Sequence, residues 1–102
     1  MSELGISMCG TKHSHSAGIL TSVLKDDRIK FKGVYEPDNS RKEYLKELDV
    51  APWNQVTWID SEDDLVFDNQ TQAVIVEAGN HESLDFVDKL IRSGKHVFSD
   101  KP

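Results

Sequence analysis

The stretch "AVIVEAGNHESLDFVDKLIRSGKHVFSDKP", from Ala73 to Pro102, predicts a strand, a helix and a second strand in succession. Its first four residues are all apolar, which is typical of a strand that is covered on both faces of a sheet. Apolar residues then recur at helical spacing over 82–92, with Leu84, Val87, Leu90 and Ile91 expected to point inward. Gly94 is a typical helix C-cap, and residues 96–98 predict the second strand. A strand–helix–strand unit of this kind places its two strands parallel.

The rest of the chain repeats this alternation. Strands are predicted at 4–9, 31–35 and 56–59. Two helices are predicted to begin at Ser16 and at Ser40, and a third, short helix is predicted to run through Val66 with Asp60 or Ser61 as its cap. Five strands that alternate with helices indicate an α/β fold: a parallel sheet with helices on both faces. Right-handed crossovers favour the doubly wound order, and the chain ends directly after strand five.

Composition excludes several classes of protein. The length of 102 residues suits one domain, and the net charge of −6 argues against nucleic acid or an anionic membrane as the main partner. The chain has no apolar run of membrane-spanning length and no basic leader, and its one cysteine, Cys9, excludes an internal disulfide. These features predict a soluble, cytoplasmic protein.

A doubly wound sheet binds its ligand at the carboxyl ends of the strands, where three loops meet. The first loop, "CGTKHSHSAG", has Gly10 for a tight turn and leads into a helix whose N-terminus attracts phosphate. The three glycine positions of the dinucleotide pattern G-x-G-x-x-G are occupied here by Gly10, Lys12 and His15. Only the first is a glycine, so the motif alone is a weak signal. Lys12 is either a phosphate contact or a solvated loop lysine.

Glu36 ends strand two. A carboxylate at that place can accept hydrogen bonds from both hydroxyls of an adenosine ribose and would repel a 2′-phosphate, which favours NAD. Arg41, in the next helix, allows NADP. The alternative role for Glu36 is an acid that only begins the turn before Pro37.

His13 and His15 form an H-x-H pair that could belong to a metal-dependent hydrolase. Such a site needs more ligands, and His81 and His96 are the only other histidines in the sequence. We therefore predict no metal site and expect His13 and His15 to line a cofactor loop or to face water.

The segment 73–102 resembles the end of the cofactor domain in the glucose–fructose oxidoreductase and inositol dehydrogenase (Gfo/Idh/MocA) family. "GKHV" at 94–97 matches the family pattern in full, and the family's "EKP" appears as Asp100, Lys101 and Pro102. The first half is similar as well, with "GVYEPD" at 33–38 where the family has "avaDpd". The resemblance covers nearly the whole chain and implies an NAD(P)-binding Rossmann domain.

The resemblance also implies roles for individual residues. Glu36 takes the place of the ribose-binding acid, Asn80 that of an asparagine beside the cofactor, and Lys101 that of a catalytic lysine near the nicotinamide and the substrate oxygen. The residues expected to bind cofactor are Gly10, Thr11, Lys12, His13, His15, Glu36, Arg41, Ala78, Asn80, Asp100 and Lys101. The chain departs from the family pattern at several positions. Lys12 and His15 stand where the family has glycines, Gly79 stands where it has a proline, and Ser83 stands where it has a histidine.

Residues 1–102 are thus expected to be the dinucleotide-binding part of an NAD(P)-dependent oxidoreductase that acts on a hydroxyl carbon of a sugar, polyol or related small molecule. The family's substrate domain is absent from the chain, so we expect a fragment that is not active alone, from a protein that forms homo-oligomers. The alternative is a non-catalytic nucleotide-binding or regulatory module, which the reduced glycine loop favours.

Overall fold

The computed structural model describes residues 4–11, 16–77 and 87–99. Within these ranges the chain forms four parallel strands: β1 (Leu4–Cys9), β2 (Ile29–Tyr35), β3 (Ala73–Val76) and β4 (His96–Ser99). The helices are α1 (Ser16–Lys25), α2 (Asn39–Leu48) and α3 (Glu62–Val66), with a 3₁₀ turn at Trp53–Gln55 and a helical segment at 87–92. No helix among the described residues has the length and apolar character needed to cross a lipid bilayer.

The order of the strands in the sheet is β2-β1-β3-β4. The chain leaves β1 for β2 on one side and then returns past β1 to β3 on the other. This reversal between β1 and β3 makes a topological switch point at the carboxyl edge of the sheet. The predicted doubly wound α/β fold is therefore confirmed.

Helices cover both faces of the sheet, as the apolar strands require. On one face, Met8 and Val34 pack with α1 and α2 through Leu20 and Leu45, and the buried Trp53 closes this core. On the other face the core joins β1, β3, α3 and the 87–92 segment; its buried members are Cys9, Leu65, Val66, Val74, Val76 and Leu90. Neighbouring residues of a strand belong to opposite cores, because side chains alternate across a sheet.

The predicted strand at 56–59 is wrong as a regular strand. It makes a single parallel bridge, between Val34 and Trp58, in which the Val34 N–H donates to the Thr57 carbonyl at 2.9 Å. The Ile59 N–H donates back to the Val34 carbonyl at 2.8 Å. The 3₁₀ turn ends just before this segment and the N-cap of α3, Ser61, follows it, so no residues remain to extend the pairing. The strand predicted as the fifth is β4.

The orientation predicted for Ile91 is also wrong. Leu90 is fully buried in the 87–92 segment and Val87 packs against the same core, whereas Ile91 is 59% exposed. Ile91 is one residue, or about 100°, around the helix from Leu90. The apolar face of this segment is therefore narrower than the sequence pattern predicts.

Candidate functional site

Three strand ends meet at the switch point. The Gly10 N–H donates to the Tyr35 carbonyl at 2.8 Å, which ties the end of β1 to the end of β2. The Glu77 N–H donates to the Cys9 carbonyl at 2.7 Å, which ties the end of β3 to β1. Gly10 has φ +89°, in the left-handed region where a side chain is unfavourable, so glycine is needed to turn the chain there.

Glu36 turns its side chain inward from the end of β2 and is only 4% exposed. Its Oε1 atom accepts hydrogen bonds from the Thr11 backbone N–H at 2.8 Å and from the Thr11 hydroxyl at 2.6 Å. Its Oε2 atom accepts from the Asp38 backbone N–H at 2.8 Å. One carboxylate therefore joins the loop after β1 to the start of α2, and these three donors compensate for its burial.

Arg41 approaches Thr11 from the first turn of α2. Its Nε donates to the Thr11 hydroxyl oxygen at 3.2 Å, and its Nη2 donates to the Thr11 carbonyl at 3.1 Å. The guanidinium also lies over the Tyr44 ring, with its carbon 5.8 Å from the ring centroid. Two contacts and one aromatic face thus hold the cation beside Glu36.

The same loop is tied to the first residue of α1. Ser16 is 2% exposed, and its hydroxyl donates to the Thr11 carbonyl at 2.8 Å. The backbone at Thr11 is therefore held by β2, α1 and α2 together. Beside it, burial and the neighbouring Glu62 carboxylate raise the pKa of the Tyr35 phenol, so that ring stays neutral at physiological pH.

The structure brings together four of the residues that the sequence predicted for the site: Gly10, Thr11, Glu36 and Arg41. The other predicted residues lie outside the described part of the chain; they are Lys12, His13, His15, Ala78, Asn80, Asp100 and Lys101. Among residues 4–11, 16–77 and 87–99, no group of three His, Cys, Asp or Glu side chains could hold a metal ion.

Three residues at this edge were missed by the sequence-based prediction. Asp38 caps α2, accepting from the backbone N–H groups of Ser40 and Arg41 at 3.0 and 3.3 Å. Its place just before a helical pattern is a recognisable cap signal. Ser16 likewise begins a helix. Glu77 directly follows the apolar β3 and is 3% exposed, and only its position at a strand end could have marked it.

A polar cavity of about 290 Å³ opens at the opposite edge of the sheet, between the segments that lead into β3 and β4. The Lys95 ammonium on its wall donates to the backbone carbonyls of Asp68 and Thr71 at 2.7 and 2.8 Å. These bonds hold the two segments together. The cavity therefore lies at the amino-terminal edge, away from the switch point.

Comparison with known proteins identifies the fold and the family. Residues 4–102 match the GFO_IDH_MocA family model, described as "Oxidoreductase family, NAD-binding Rossmann fold". Among solved structures, an NAD-binding protein from Listeria innocua is 17% identical with a TM-score of 0.78. Biliverdin reductase from Synechocystis sp. PCC 6803, solved with biliverdin and NADP+, is 15% identical with a TM-score of 0.79. GenD2 from gentamicin A biosynthesis, solved with NAD, is 17% identical with a TM-score of 0.79.

The structural alignments cover very different shares of this chain and of the solved chains. The alignments cover 99 to 100% of this chain but only 28 to 30% of the three solved chains. A search of curated proteins gave no match. At such low sequence identities the structural matches establish only the fold, and the match to the family model establishes that the chain belongs to this family.

Proposed function

We propose that this chain, which belongs to the GFO_IDH_MocA family of oxidoreductases with an NAD-binding Rossmann fold, is the cofactor-binding part of an NAD(P)-dependent enzyme. The observation that carries the proposal is the cluster of Gly10, Thr11 and Glu36 at the switch point. Residues 1–102 would be the dinucleotide-binding domain, with the substrate pocket in a further domain. The 28 to 30% coverage of the solved chains supports this division.

The described residues fit a dinucleotide. The positive φ of Gly10 turns the chain sharply out of β1, and the positive end of the α1 dipole, at Ser16, would attract a diphosphate. Glu36 lies at the end of the neighbouring strand, where an adenosine ribose is bound in this fold. Gly10 and Thr11 would face the diphosphate and Glu36 a ribose hydroxyl, while Lys12, His13 and His15 would complete the loop.

The bound nicotinamide would supply the hydride chemistry of the reaction, which the side chains of the chain cannot supply. Lys101 would place its ammonium beside the substrate oxygen and stabilise negative charge there. Ala78, Asn80 and Asp100 would border the nicotinamide end of the cofactor. The substrate would be a sugar, polyol or related molecule that reacts at a hydroxyl-bearing carbon, and the complete enzyme would be a cytoplasmic homo-oligomer.

A second candidate function is a nucleotide-binding module without catalysis. Lys12 and His15 stand where the dinucleotide motif has glycines, and Glu36 already occupies the Thr11 N–H in the loop. The side chains of Lys12 and His15 hinder the close approach of a diphosphate to the backbone, and the Glu36 bond takes up one backbone N–H. The two candidates share the cofactor site and differ in whether a protein that carries this chain reduces or oxidises a substrate.

The proposal is tested by titrating the 102-residue chain with NAD in a calorimeter. We expect Glu36→Ala to weaken NAD binding by about ten- to a hundredfold, the effect of losing a hydrogen bond to a charged group. Glu43→Ala on the exposed side of α2 is the matched control and should leave the affinity unchanged. Thermal melts of both variants without nucleotide separate a lost contact from a lost fold.

Two results would contradict the proposal. The first is no detectable NAD binding by the folded wild-type chain. The second is equal NAD affinity in the wild type and in a folded Glu36→Ala variant, because the carboxylate would then have no part in the site.

A further inference from the structure

Glu36 is the residue that should decide between the two nicotinamide dinucleotides, and its surroundings change that expectation. A carboxylate offers about four positions for hydrogen-bond donors. Three are filled by this chain: two at Oε1 by Thr11 and one at Oε2 by the Asp38 N–H. To accept bonds from both ribose hydroxyls, as in NAD-selective domains, the carboxylate would have to release Thr11.

The release of Thr11 would disturb more than one contact. The Thr11 hydroxyl that donates to Glu36 also accepts from Arg41 Nε at 3.2 Å, and the Thr11 carbonyl accepts from Ser16 and Arg41. Thr11 and Ser16 lie at the two ends of the connection from β1 to α1, and Arg41 holds it from α2. Glu36 therefore has one position left, enough for a single ribose hydroxyl.

Arg41, in contrast to Glu36, offers hydrogen-bond donors at the same place. Two of its N–H groups donate to Thr11, and among the residues that the structure describes its remaining N–H groups have no acceptor. A guanidinium with free N–H groups is well suited to bind a phosphate through two parallel bonds. The Tyr44 ring, 5.8 Å below the guanidinium, limits its movement.

The negative groups nearby are already engaged. Glu36 accepts hydrogen bonds from three donors, and Asp38 accepts from the N–H groups of Ser40 and Arg41 at the start of α2. These two carboxylates oppose a 2′-phosphate only through space, whereas Arg41 can donate hydrogen bonds to it directly.

We infer that the ribose subsite of this chain accepts NADP about as well as NAD, with Arg41 as the residue that contacts the 2′-phosphate. The inference rests on the proposed function, since it names the cofactor class of the same site. It assigns Glu36 a mainly structural part, holding the Thr11 loop, and moves the choice of cofactor to Arg41.

The test is parallel titration of the 102-residue chain with NAD and NADP in the same buffer at 0.1 M salt. We expect dissociation constants within about tenfold of each other. Arg41→Gln should weaken NADP binding by about tenfold or more and NAD binding by less than about threefold. Arg28→Gln removes the same charge from an 88% exposed side chain at the amino end of β2, and should change neither constant.

The outcomes separate the two claims. NAD binding with NADP more than about tenfold weaker overturns this inference and leaves the proposed function standing. An Arg41→Gln variant that binds NAD and keeps the wild-type ratio also overturns it. Binding of neither dinucleotide by the folded wild-type chain overturns the proposed function and this inference together.

Discussion

A chain of hydroxyls and a carboxylate joins β1 to the segment before β3. The Thr71 hydroxyl donates to Asp68 Oδ2 at 2.6 Å, so its oxygen is left to accept the Ser7 hydroxyl proton at 2.9 Å. Ser7 is fully buried and Thr71 is 2% exposed. A buried hydroxyl without a partner is costly, so the removal of the middle member affects both neighbours.

We predict that Thr71→Val destabilises the chain by about 1–3 kcal/mol, since Ser7 loses its acceptor in the core. Thr21→Val is the matched control. The Thr21 hydroxyl donates to the Ala17 carbonyl within α1 at 2.8 Å, and its loss should change stability by less than about 0.5 kcal/mol. Urea unfolding of both variants measures the difference, and equal stabilities would refute the role given to Thr71.

The same network makes stability depend on pH. Burial raises the pKa of Asp68, but hydrogen bonds from Thr71 and Gln70 and the charges of Lys32 and Lys95 outweigh it, so the pKa lies below its ordinary value of 3.8. A carboxyl group whose pKa is lowered in the folded state stabilises the fold at pH values above its ordinary pKa. That stabilisation is lost as the pH falls through the pKa of the folded state. The loss of unfolding free energy caused by Thr71→Val should therefore be smaller at acid pH than at neutral pH.

At the scale of elements, the contact between β2 and the segment 56–59 depends on a missing side chain. A Cβ at Gly33 would lie 2.8 Å from Ile59 Cγ1 and 2.9 Å from the Thr57 carbonyl oxygen. Both distances are too short for carbon, and one of the two partners is backbone. The glycine thus allows the single bridge that replaces the predicted strand.

We predict that Gly33→Ala destabilises the chain by about 1–3 kcal/mol, because the bridge must open to admit the methyl group. Gly18→Ala is the matched control in α1, where a Cβ meets nothing within 4 Å. Helix propensity should make that variant more stable by about 0.5–1 kcal/mol. Thermal melts of the pair test the opposite signs, and destabilisation in both would contradict the account.

The elements with strong local signals could be predicted from the sequence. β1 and β3 have the predicted bounds, because apolar runs ended by Gly10 and Glu77 are unambiguous. The segment 56–59 was less predictable, since its single bridge depends on the close approach to Gly33, a tertiary feature. The site shows the same division: Glu36 and Arg41 were found by position, whereas the saturation of Glu36 depends on where Thr11 folds.

At the scale of the whole molecule, the two edges of the sheet are built for different tasks. At the amino-terminal edge, Lys95 closes the gap before β3 and β4 with two bonds to backbone carbonyls. At the carboxyl edge, Gly10 supplies a turn, Glu36 a carboxylate and Arg41 a guanidinium cation around Thr11. A dinucleotide that binds as proposed must therefore affect one edge and leave the other unchanged.

The most direct measurement is an NMR titration of the 102-residue chain with NAD, following each backbone amide. We predict concentration-dependent shifts of the amides of Gly10, Thr11, Glu36 and Arg41, and no shift of the Lys95 amide at the opposite edge. Shifts that cluster at the amino-terminal edge, or no shifts at millimolar NAD in a folded chain, would contradict the claim that the switch point binds the cofactor.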